Sequence, residues 1–275
     1  MKVFFELVNH NIYSVSGAEV ERYLQGRLTQ NIKEIKAQQA YGAMLLTPQG
    51  KILAKMHVIK EQGRFLLLVD PCNNEDFLKD LLRFKVADDV SVSKLDSSLF
   101  TALEDFQSTL IKIPSKRFKE SGFDIIVTEN EKANLLKELD SQGFKLGTEQ
   151  ERDFLRISSN QPEYGKDINQ SITATEVPFQ DYISFNKGCY AGQEVVEMST
   201  ARGRPNRQLL SLSCERPLEK GDEIFSSKDL SKACGFIQAV ATNEKQTIAF
   251  AYIKTSYAEQ CEFFHKDQTL SKINA

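Results

Sequence analysis

The eight residues Lys187-Gly188-Cys189-Tyr190-Ala191-Gly192-Gln193-Glu194 place a cysteine between two glycines, with a lysine before it and an amide and an acid after it. Glycine tolerates positive φ and close backbone approach, so the thiol is predicted to lie on a tight, accessible turn. Lys187 is near enough to stabilise a thiolate, the form in which sulfur attacks or binds metals. The residues alone leave two interpretations open, a reactive thiol and an inert cysteine buried beside a turn.

The composition is that of a globular protein. The chain has 275 residues, of which 41% are hydrophobic and 27% charged, which is enough for two domains or three small ones. The most strongly apolar run, residues 65–69, is strand-sized and well below the roughly 18 residues that span a bilayer. Residues 1–9 lack both the apolar region of a signal peptide and the composition of a transit peptide. We therefore expect a cytoplasmic protein without a membrane segment.

The net charge argues against a nucleic-acid-binding protein, and the cysteine content argues against a disulfide-bonded or metal-binding protein. A net charge of −3 argues against stable nucleic-acid binding, although Arg202, Arg204 and Arg207 form one local basic patch. That patch is either a solvated linker or a binding site for the anionic tail of a ligand or for RNA phosphate. Five widely spaced cysteines and three scattered histidines fit neither a disulfide framework nor a metal site. We expect no metal and a reducing compartment.

Hydrophobic periodicity predicts an α+β fold. Apolar residues at helical spacing predict a helix over residues 18–28, and residues 41–54 predict a hairpin whose turn is Pro48-Gln49-Gly50. Strands and helices then follow one another through residue 147 without regular βαβ alternation. Beyond residue 206 the pattern is wholly β, with strands at residues 208–213, 223–226, 233–242, 247–254 and 260–264. Short strands at this spacing predict a small antiparallel barrel.

The octapeptide at 187–194 resembles the signature of the YgfZ-type folate-binding proteins, which are relatives of the glycine-cleavage T-protein, an aminomethyltransferase. Members of this family serve iron–sulfur cluster assembly and repair and, in bacteria, some tRNA modification. Residues 15–54, 154–167 and 183–198 are similar to further family blocks. The chain departs from them at Arg27, where glutamine is usual, at Asn31, where aspartate is usual, and at Asn160, where glycine is usual. Asn31 is expected to remove a charge from the central pocket.

The resemblance implies a T-protein-like ring of three domains built from ferredoxin-like α+β units and a C-terminal antiparallel β-barrel. Residues 1–50 with 148–202 would form a discontinuous folate-binding domain, residues 51–147 a second α+β domain, and residues 203–275 the barrel. Tetrahydrofolate would bind in the central hole with Cys189 facing it. The family also implies iron–sulfur client or assembly proteins as partners, and a monomer.

The resemblance also suggests roles for individual residues. Cys189 would be the reactive or transiently ligating thiol and Lys187 its thiolate stabiliser, with Gln193 and Glu194 orienting the site. Arg156, Tyr164 and His10 are the candidate folate-binding residues. The residues alone allow Arg156 equally to form an ion pair with a neighbouring acid.

Three functions remain open at the level of sequence. The first is a folate-dependent accessory factor for iron–sulfur proteins. The second is a one-carbon transferase like the T-protein, but residues 88–92 contain no convincing counterpart of its catalytic aspartate. The third is a non-catalytic module in which Cys189 is structural. Catalytic activity is therefore left undecided, and an aminomethyltransferase is disfavoured.

Overall fold

The computed structural model describes residues 2–118, 120–201, 205–228 and 230–273. Within these ranges the chain forms two five-stranded sheets and a closed six-stranded barrel, together with five α-helices. The predicted α+β class and the C-terminal antiparallel barrel are confirmed. Arg202 and Arg204 of the predicted basic patch lie outside the described residues.

Strands dominate the regular structure. In chain order they are Val3–Glu6 (β1), Asn11–Ser16 (β2), Ala40–Leu46 (β3), Ile52–Glu61 (β4), Arg64–Val69 (β5), Ser91–Lys94 (β6), Ser98–Ala102 (β7), Ile113–Phe118 (β8), Glu120–Val127 (β9), Lys145–Leu146 (β10), Arg207–Cys214 (β11), Glu223–Phe225 (β12), Ala233–Thr242 (β13), Thr247–Lys254 (β14), Glu262–His265 (β15) and Gln268–Lys272 (β16). The helices are Val20–Arg27 (α1), Asn74–Leu81 (α2), Glu129–Ser141 (α3), Glu149–Ser158 (α4) and Gln193–Ala201 (α5).

Local side-chain caps fix where two of the helices begin. The Asn73 side chain accepts hydrogen bonds from the first-turn amides of α2, which would otherwise have no partner. Thr148 and Glu151 form a capping box at the start of α4, a helix absent from the sequence prediction. None of the described helices is long and apolar enough to cross a membrane.

The two sheets have different origins along the chain. The first sheet has the strand order β3-β4-β5-β2-β6 and the second the order β10-β1-β7-β9-β8. All of their strand pairs are antiparallel except that of β1 with β10. Because β1 pairs with β7, the start of the chain is part of the second sheet. The first sheet begins only at β2.

The predicted domain division between residues 50 and 51 does not coincide with a break in strand pairing. It falls in the turn of the β3–β4 hairpin, whose register runs from Ala40 opposite Ile59 to Leu46 opposite Ile52. Backbone hydrogen bonds therefore place both sides of that division in one sheet. The chain passes from the first sheet to the second between residues 94 and 98.

The segment between the second sheet and the barrel connects all of these parts. One buried apolar cluster joins the β3–β4 hairpin to α4, to α5 and to the barrel, through Leu46, Ile52, Ile157, Val196 and Phe250. Each of these side chains is at most 1% exposed, so burial of apolar surface holds the parts together. The residues from α4 to α5 are consequently packed against the first sheet, and they supply one wall of the site described next.

Candidate functional site

A cavity of about 710 Å³ lies between β3 of the first sheet, the β8–β9 hairpin of the second sheet and the segment before the signature. We call it the inter-sheet cavity. Gly42, His57, Ser115, Gln161 and Tyr182 contribute to its lining. Its volume is within the range of about 300–1,000 Å³ that is usual for small-molecule sites.

Two polar atoms of these lining residues have no hydrogen-bond partner in the part of the chain that the structure describes. Nδ1 of His57 and Oγ of Ser115 are buried without a hydrogen bond, and their residues are only 3% and 5% exposed. Leaving such a group unpaired costs about 1–3 kcal/mol. The residues that line the inter-sheet cavity therefore include two with unused hydrogen-bonding capacity.

Tyr182 and His57 fix each other in the cavity wall. The Tyr182 hydroxyl lies 3.2 Å from Nε2 of His57 and donates a hydrogen bond of 3.4 Å to Oε1 of Gln161. Burial, and then the charges of Arg117 and Lys55, lower the pKa of His57 well below its usual value. The imidazole is thus neutral, and because the Tyr182 hydroxyl donates its one proton to Gln161, Nε2 carries the ring proton and the free Nδ1 is an acceptor.

The glycine opposite Tyr182 is required by close packing. A Cβ atom on Gly42 would lie 2.6 Å from Cδ1 of the Tyr182 ring, closer than carbon atoms approach. Glycine within a strand commonly marks such an approach of another group to the backbone. The absence of a side chain in the middle of β3 therefore lets the Tyr182 ring lie flat against the first sheet and form the cavity wall.

A smaller chamber of about 20 Å³ adjoins the inter-sheet cavity at Gln161, which lines both. We call it the charged chamber. It is lined by His10 and by the ionisable side chains of Lys55, Asp70, Arg117, Arg152, Arg156 and Glu163. A third cavity of about 530 Å³, the outer cavity, shares Arg152 and Glu163 with the chamber. Each of the two larger spaces thus shares lining residues with the charged chamber.

Asp70 is the centre of the charged chamber. Its carboxylate accepts a hydrogen bond of 3.1 Å from Nζ of Lys55, lies 3.5 Å from Nε2 of His10 and accepts the backbone N–H of Tyr164 at 3.1 Å. Burial opposes ionisation, but Lys55 and His10 outweigh it and hold the pKa of Asp70 far below its usual range. Asp70 is therefore a buried, ionised acid that ties three segments together.

The predicted folate-binding residues are found around this chamber. His10 and Arg156 line it, whereas Tyr164 lines the outer cavity. The Arg156 guanidinium donates to Asp153 at 2.8 Å and to the buried Asp167, so its ion pairs occupy two of its nitrogens. Burial raises the pKa of Tyr164 to about 12. The ion pair that the sequence allowed for Arg156 is therefore formed.

The signature residues lie at the end of α1, away from the inter-sheet cavity lining. Cys189 is solvent-exposed and its thiol is free. The Lys187 ammonium donates to the carbonyl oxygens of Gln25 at 2.7 Å, Leu28 and Gln30 at 2.9 Å. Burial lowers the pKa of Lys187 to about 7, against the preference of these three carbonyls for the charged ammonium. Lys187 thus fixes the loop to α1, and these bonds leave its ammonium no free donor for Cys189.

The other two signature residues differ in their surroundings. Oε1 of Gln193 accepts the N–H of Tyr190 at 3.2 Å, and Nε2 of Gln193 donates to Glu197 at 2.6 Å, so Gln193 fixes the start of α5. Glu194 is exposed. Gly192 has a φ of +87°, and a Cβ there would lie 2.5 Å from the carbonyl oxygen of Thr47. This glycine is needed for α5 to begin against the β3–β4 turn.

The three departures from the family pattern have structural explanations. Arg27 donates to the last carbonyls of α2, those of Leu81 at 3.2 Å and Asp80 at 2.7 Å. Asn31 accepts a hydrogen bond from Gln25 at 3.0 Å and is not among the residues that line the inter-sheet cavity. Asn160 has a φ of +56°, a conformation in which asparagine can replace glycine.

The sequence prediction missed His57, Ser115, Gln161 and Tyr182. One signal was present, since Lys55 and His57 are polar residues two apart in an otherwise apolar strand. Residues at this spacing point to the same face of a strand, and both line spaces of the site. The other residues come from separate segments, and only the folded chain brings them together. In the described segments no group of three or more His, Cys, Asp or Glu residues is placed to hold a metal ion.

Comparisons with known proteins agree with the architecture. Two curated proteins named tRNA-modifying protein YgfZ, from Escherichia coli O157:H7 (strain EC4115 / EHEC) and O7:K1 (strain IAI39 / ExPEC), are 26% identical to this chain over 238 residues, covering 77% of it and 72% of each relative. The resemblance to the YgfZ-type proteins is confirmed. No protein-family model matches the chain.

The fold matches that of a solved T-protein. Aminomethyltransferase T of the glycine cleavage system from Bartonella henselae superposes with a TM-score of 0.85, covering 99% of this chain and 85% of that one. The two sequences are 18% identical, so the likeness establishes the fold alone. The T-protein-like fold implied by the YgfZ-type signature is therefore confirmed.

Proposed function

We propose that this chain is a tetrahydrofolate-binding accessory protein for iron–sulfur cluster assembly or repair, including iron–sulfur-dependent tRNA modification. The observation that carries the proposal is the pair of unpartnered buried atoms, His57 Nδ1 and Ser115 Oγ, in a cavity of about 710 Å³. A pterin is a flat heterocycle with donors and acceptors along its edge. Burying it requires matched polar groups on the protein, and this lining has such groups without another partner.

The residues present fit such a ligand. His57, Ser115, Gln161 and Tyr182 would hold the pterin by its polar edge, and tetrahydrofolate would supply one-carbon or redox chemistry when bound. His10 and Arg156 would support the site from the charged chamber by holding Asp70 and Asp167 in place. Tyr164 would contact the ligand only if it extends into the outer cavity.

Cys189 is the proposed reactive or transiently ligating thiol. It is exposed and lies on a loop that Lys187 holds against α1, with Gln193 and Glu194 at the start of α5. An exposed thiol on a fixed loop is suited to meeting a partner protein at the surface. This supports an accessory role in which a client's cluster is handled at the surface while folate is bound inside.

Calorimetric titration of the reduced protein with tetrahydrofolate under anaerobic conditions tests the proposal. We expect one saturable site with micromolar affinity. In a strain that depends on this chain, Cys189→Ala should lower iron–sulfur enzyme activity, whereas Cys261→Ala, at a second exposed cysteine, should not. Absence of binding by the folded protein would contradict the folate site, and folate-dependent transfer of formaldehyde would identify a one-carbon transferase instead.

A further inference from the structure

The chain between the inter-sheet cavity and the signature thiol is short and continuous. Asp181 and Tyr182 line the cavity, and the same segment reaches the exposed Cys189 without another helix or strand between them. We call residues 181–189 the strap. A ligand that displaces the first residues of the strap would therefore move backbone that is covalently continuous with Cys189.

The strap is fastened along its length to the residues that follow α1. The Thr29 hydroxyl donates to the carbonyl oxygen of Tyr182 at 2.6 Å, and the Thr29 carbonyl accepts the N–H of Ser184 at 3.0 Å. Near the other end, Lys187 donates to the carbonyl oxygens of Leu28 and Gln30. Thr29 itself is 0% exposed, so this is a buried attachment along one side of the strap.

Gln30 contacts the strap both at its first residue and near its last. Its side-chain Nε2 donates to the carbonyl oxygens of Gly42 at 2.9 Å and Asp181 at 3.2 Å, and both of these residues line the inter-sheet cavity. Its backbone carbonyl oxygen accepts the Lys187 ammonium at 2.9 Å. One residue therefore joins β3, the start of the strap and the signature loop.

We propose that Gln30 is a positioning residue that couples occupancy of the inter-sheet cavity to the accessibility of the Cys189 thiol. The side-chain amide of Gln30 binds the carbonyl oxygens of Gly42 and Asp181, and a ligand in contact with either residue would favour one arrangement of these two carbonyls. The resulting shift of Gln30 would move its backbone carbonyl oxygen, and the Lys187 ammonium bonded to it would then shift the signature loop. Such a shift requires only that the ligand binds one arrangement more tightly. The identity of the ligand rests on the proposed function, but the connection through Gln30 does not.

The rate of Cys189 alkylation by iodoacetamide tests the coupling. Peptide mass spectrometry would follow Cys189 with Cys261 as an internal reference, with and without saturating tetrahydrofolate, under anaerobic conditions. We expect the ligand to slow Cys189 alkylation about fivefold or more, the lower end of ordinary coupling between sites. Gln30→Ala should still bind tetrahydrofolate by calorimetry, but its rate should no longer depend on the ligand. Alkylated protein should also bind the ligand more weakly, because the modified loop would favour the arrangement that the ligand disfavours.

Gln39→Ala is the matched control. Gln39 also lines the inter-sheet cavity, but its side chain accepts from Tyr41 and is not bonded to the strap, so this variant should keep the ligand dependence. Binding without any change in Cys189 alkylation would overturn the coupling and leave the proposed function intact. Absence of binding would count against the proposed function. The coupling would then be tested by the Cys189 alkylation rates of the ligand-free proteins. In them Gln30→Ala should alkylate faster at Cys189 than wild type, and equal rates would overturn it.

Discussion

The Tyr182 hydroxyl lies 3.2 Å from Nε2 of His57, and the two rings meet edge to face with their centroids 5.5 Å apart. This contact joins the segment before the signature to the first sheet. It also occupies one imidazole nitrogen, while the other has no hydrogen-bond partner among the described residues. The geometry of this pair thus determines the polar character of the proposed ligand site.

Replacing Gly42 should disturb that pair. In Gly42→Ala the new Cβ would meet the Tyr182 ring at 2.6 Å, so we expect a loss of about 1–3 kcal/mol in the free energy of unfolding, together with weaker tetrahydrofolate binding. Gly26→Ala is the control, because nothing lies within 4 Å of a Cβ there and alanine favours the helix. Urea denaturation that shows equal stability for the Gly42 variant and wild type would refute the packing argument.

Neutralising Asp70 should be strongly destabilising. Asp70→Asn would leave the Lys55 ammonium, whose side chain is 6% exposed, as a buried charge without its counter-ion, at a cost of about 3–5 kcal/mol. The exposed pair of Arg216 with Asp267 offers the comparison, and Asp267→Asn should leave the unfolding midpoint unchanged. A small effect of Asp70→Asn in chemical denaturation would show that the charged chamber is solvated rather than closed.

The Lys187 ammonium is expected to matter for folding through its three carbonyl partners. Lys187→Met keeps a long side chain but removes every donor. The carbonyl oxygens in the last turn of α1 and in the following loop would then have no side-chain partner. We expect a destabilisation of about 2 kcal/mol and faster amide exchange at residues 28–31. Lys33→Met, at an exposed lysine of the same loop, should change neither quantity. Unchanged exchange in Lys187→Met would show that the signature loop is held by other contacts.

Stability should fall as the pH is lowered through the range in which free histidine titrates. Burial with Arg117 and Lys55 lowers the pKa of His57 well below 6.5, so below that pH the unfolded chain binds a proton that the folded protein does not. The free energy of unfolding is then lost at up to about 1.4 kcal/mol per pH unit.

Urea titrations between about pH 7 and pH 5 measure this effect. The variant His57→Phe keeps an aromatic ring beside Tyr182 but cannot bind a proton, so its stability should depend less steeply on pH. Parallel curves for the variant and wild type would mean that His57 does not carry the effect.

The sequence predicted the structure well in segments whose apolar residues recur at the spacing of a strand or a helix. The strands predicted at residues 233–242 and 247–254 are β13 and β14 with the same bounds, and the predicted helix at 18–28 contains α1. Each is long and is marked by turn residues or helical spacing. By contrast β1 is four residues long and is defined by its pairing with β7, far away in sequence. No local pattern reveals such a pairing.

The site was predictable only in part for the same reason. The signature motif located Cys189 and the loop that carries it, because those residues are contiguous. The inter-sheet cavity combines residues of β3, β4, β8, β9 and two loop segments, whose convergence depends on how the two sheets pack. The capping box of Thr148 and Glu151 was a local signal for α4, and with it the buried orientation of Arg156 could have been anticipated.

The most direct measurement is an anaerobic calorimetric titration of tetrahydrofolate into wild type, His57→Phe and His265→Phe. His265 is also a buried histidine, but it lies in β15 of the barrel and its Nδ1 is 2.8 Å from the Glu223 carbonyl oxygen. We predict one saturable site in wild type and in the His265 variant, and affinity weaker by about tenfold in His57→Phe, as expected for one lost hydrogen bond in a buried site. Equal affinities for all three would contradict the placement of the ligand in the inter-sheet cavity, and no binding by folded wild type would contradict the folate site itself.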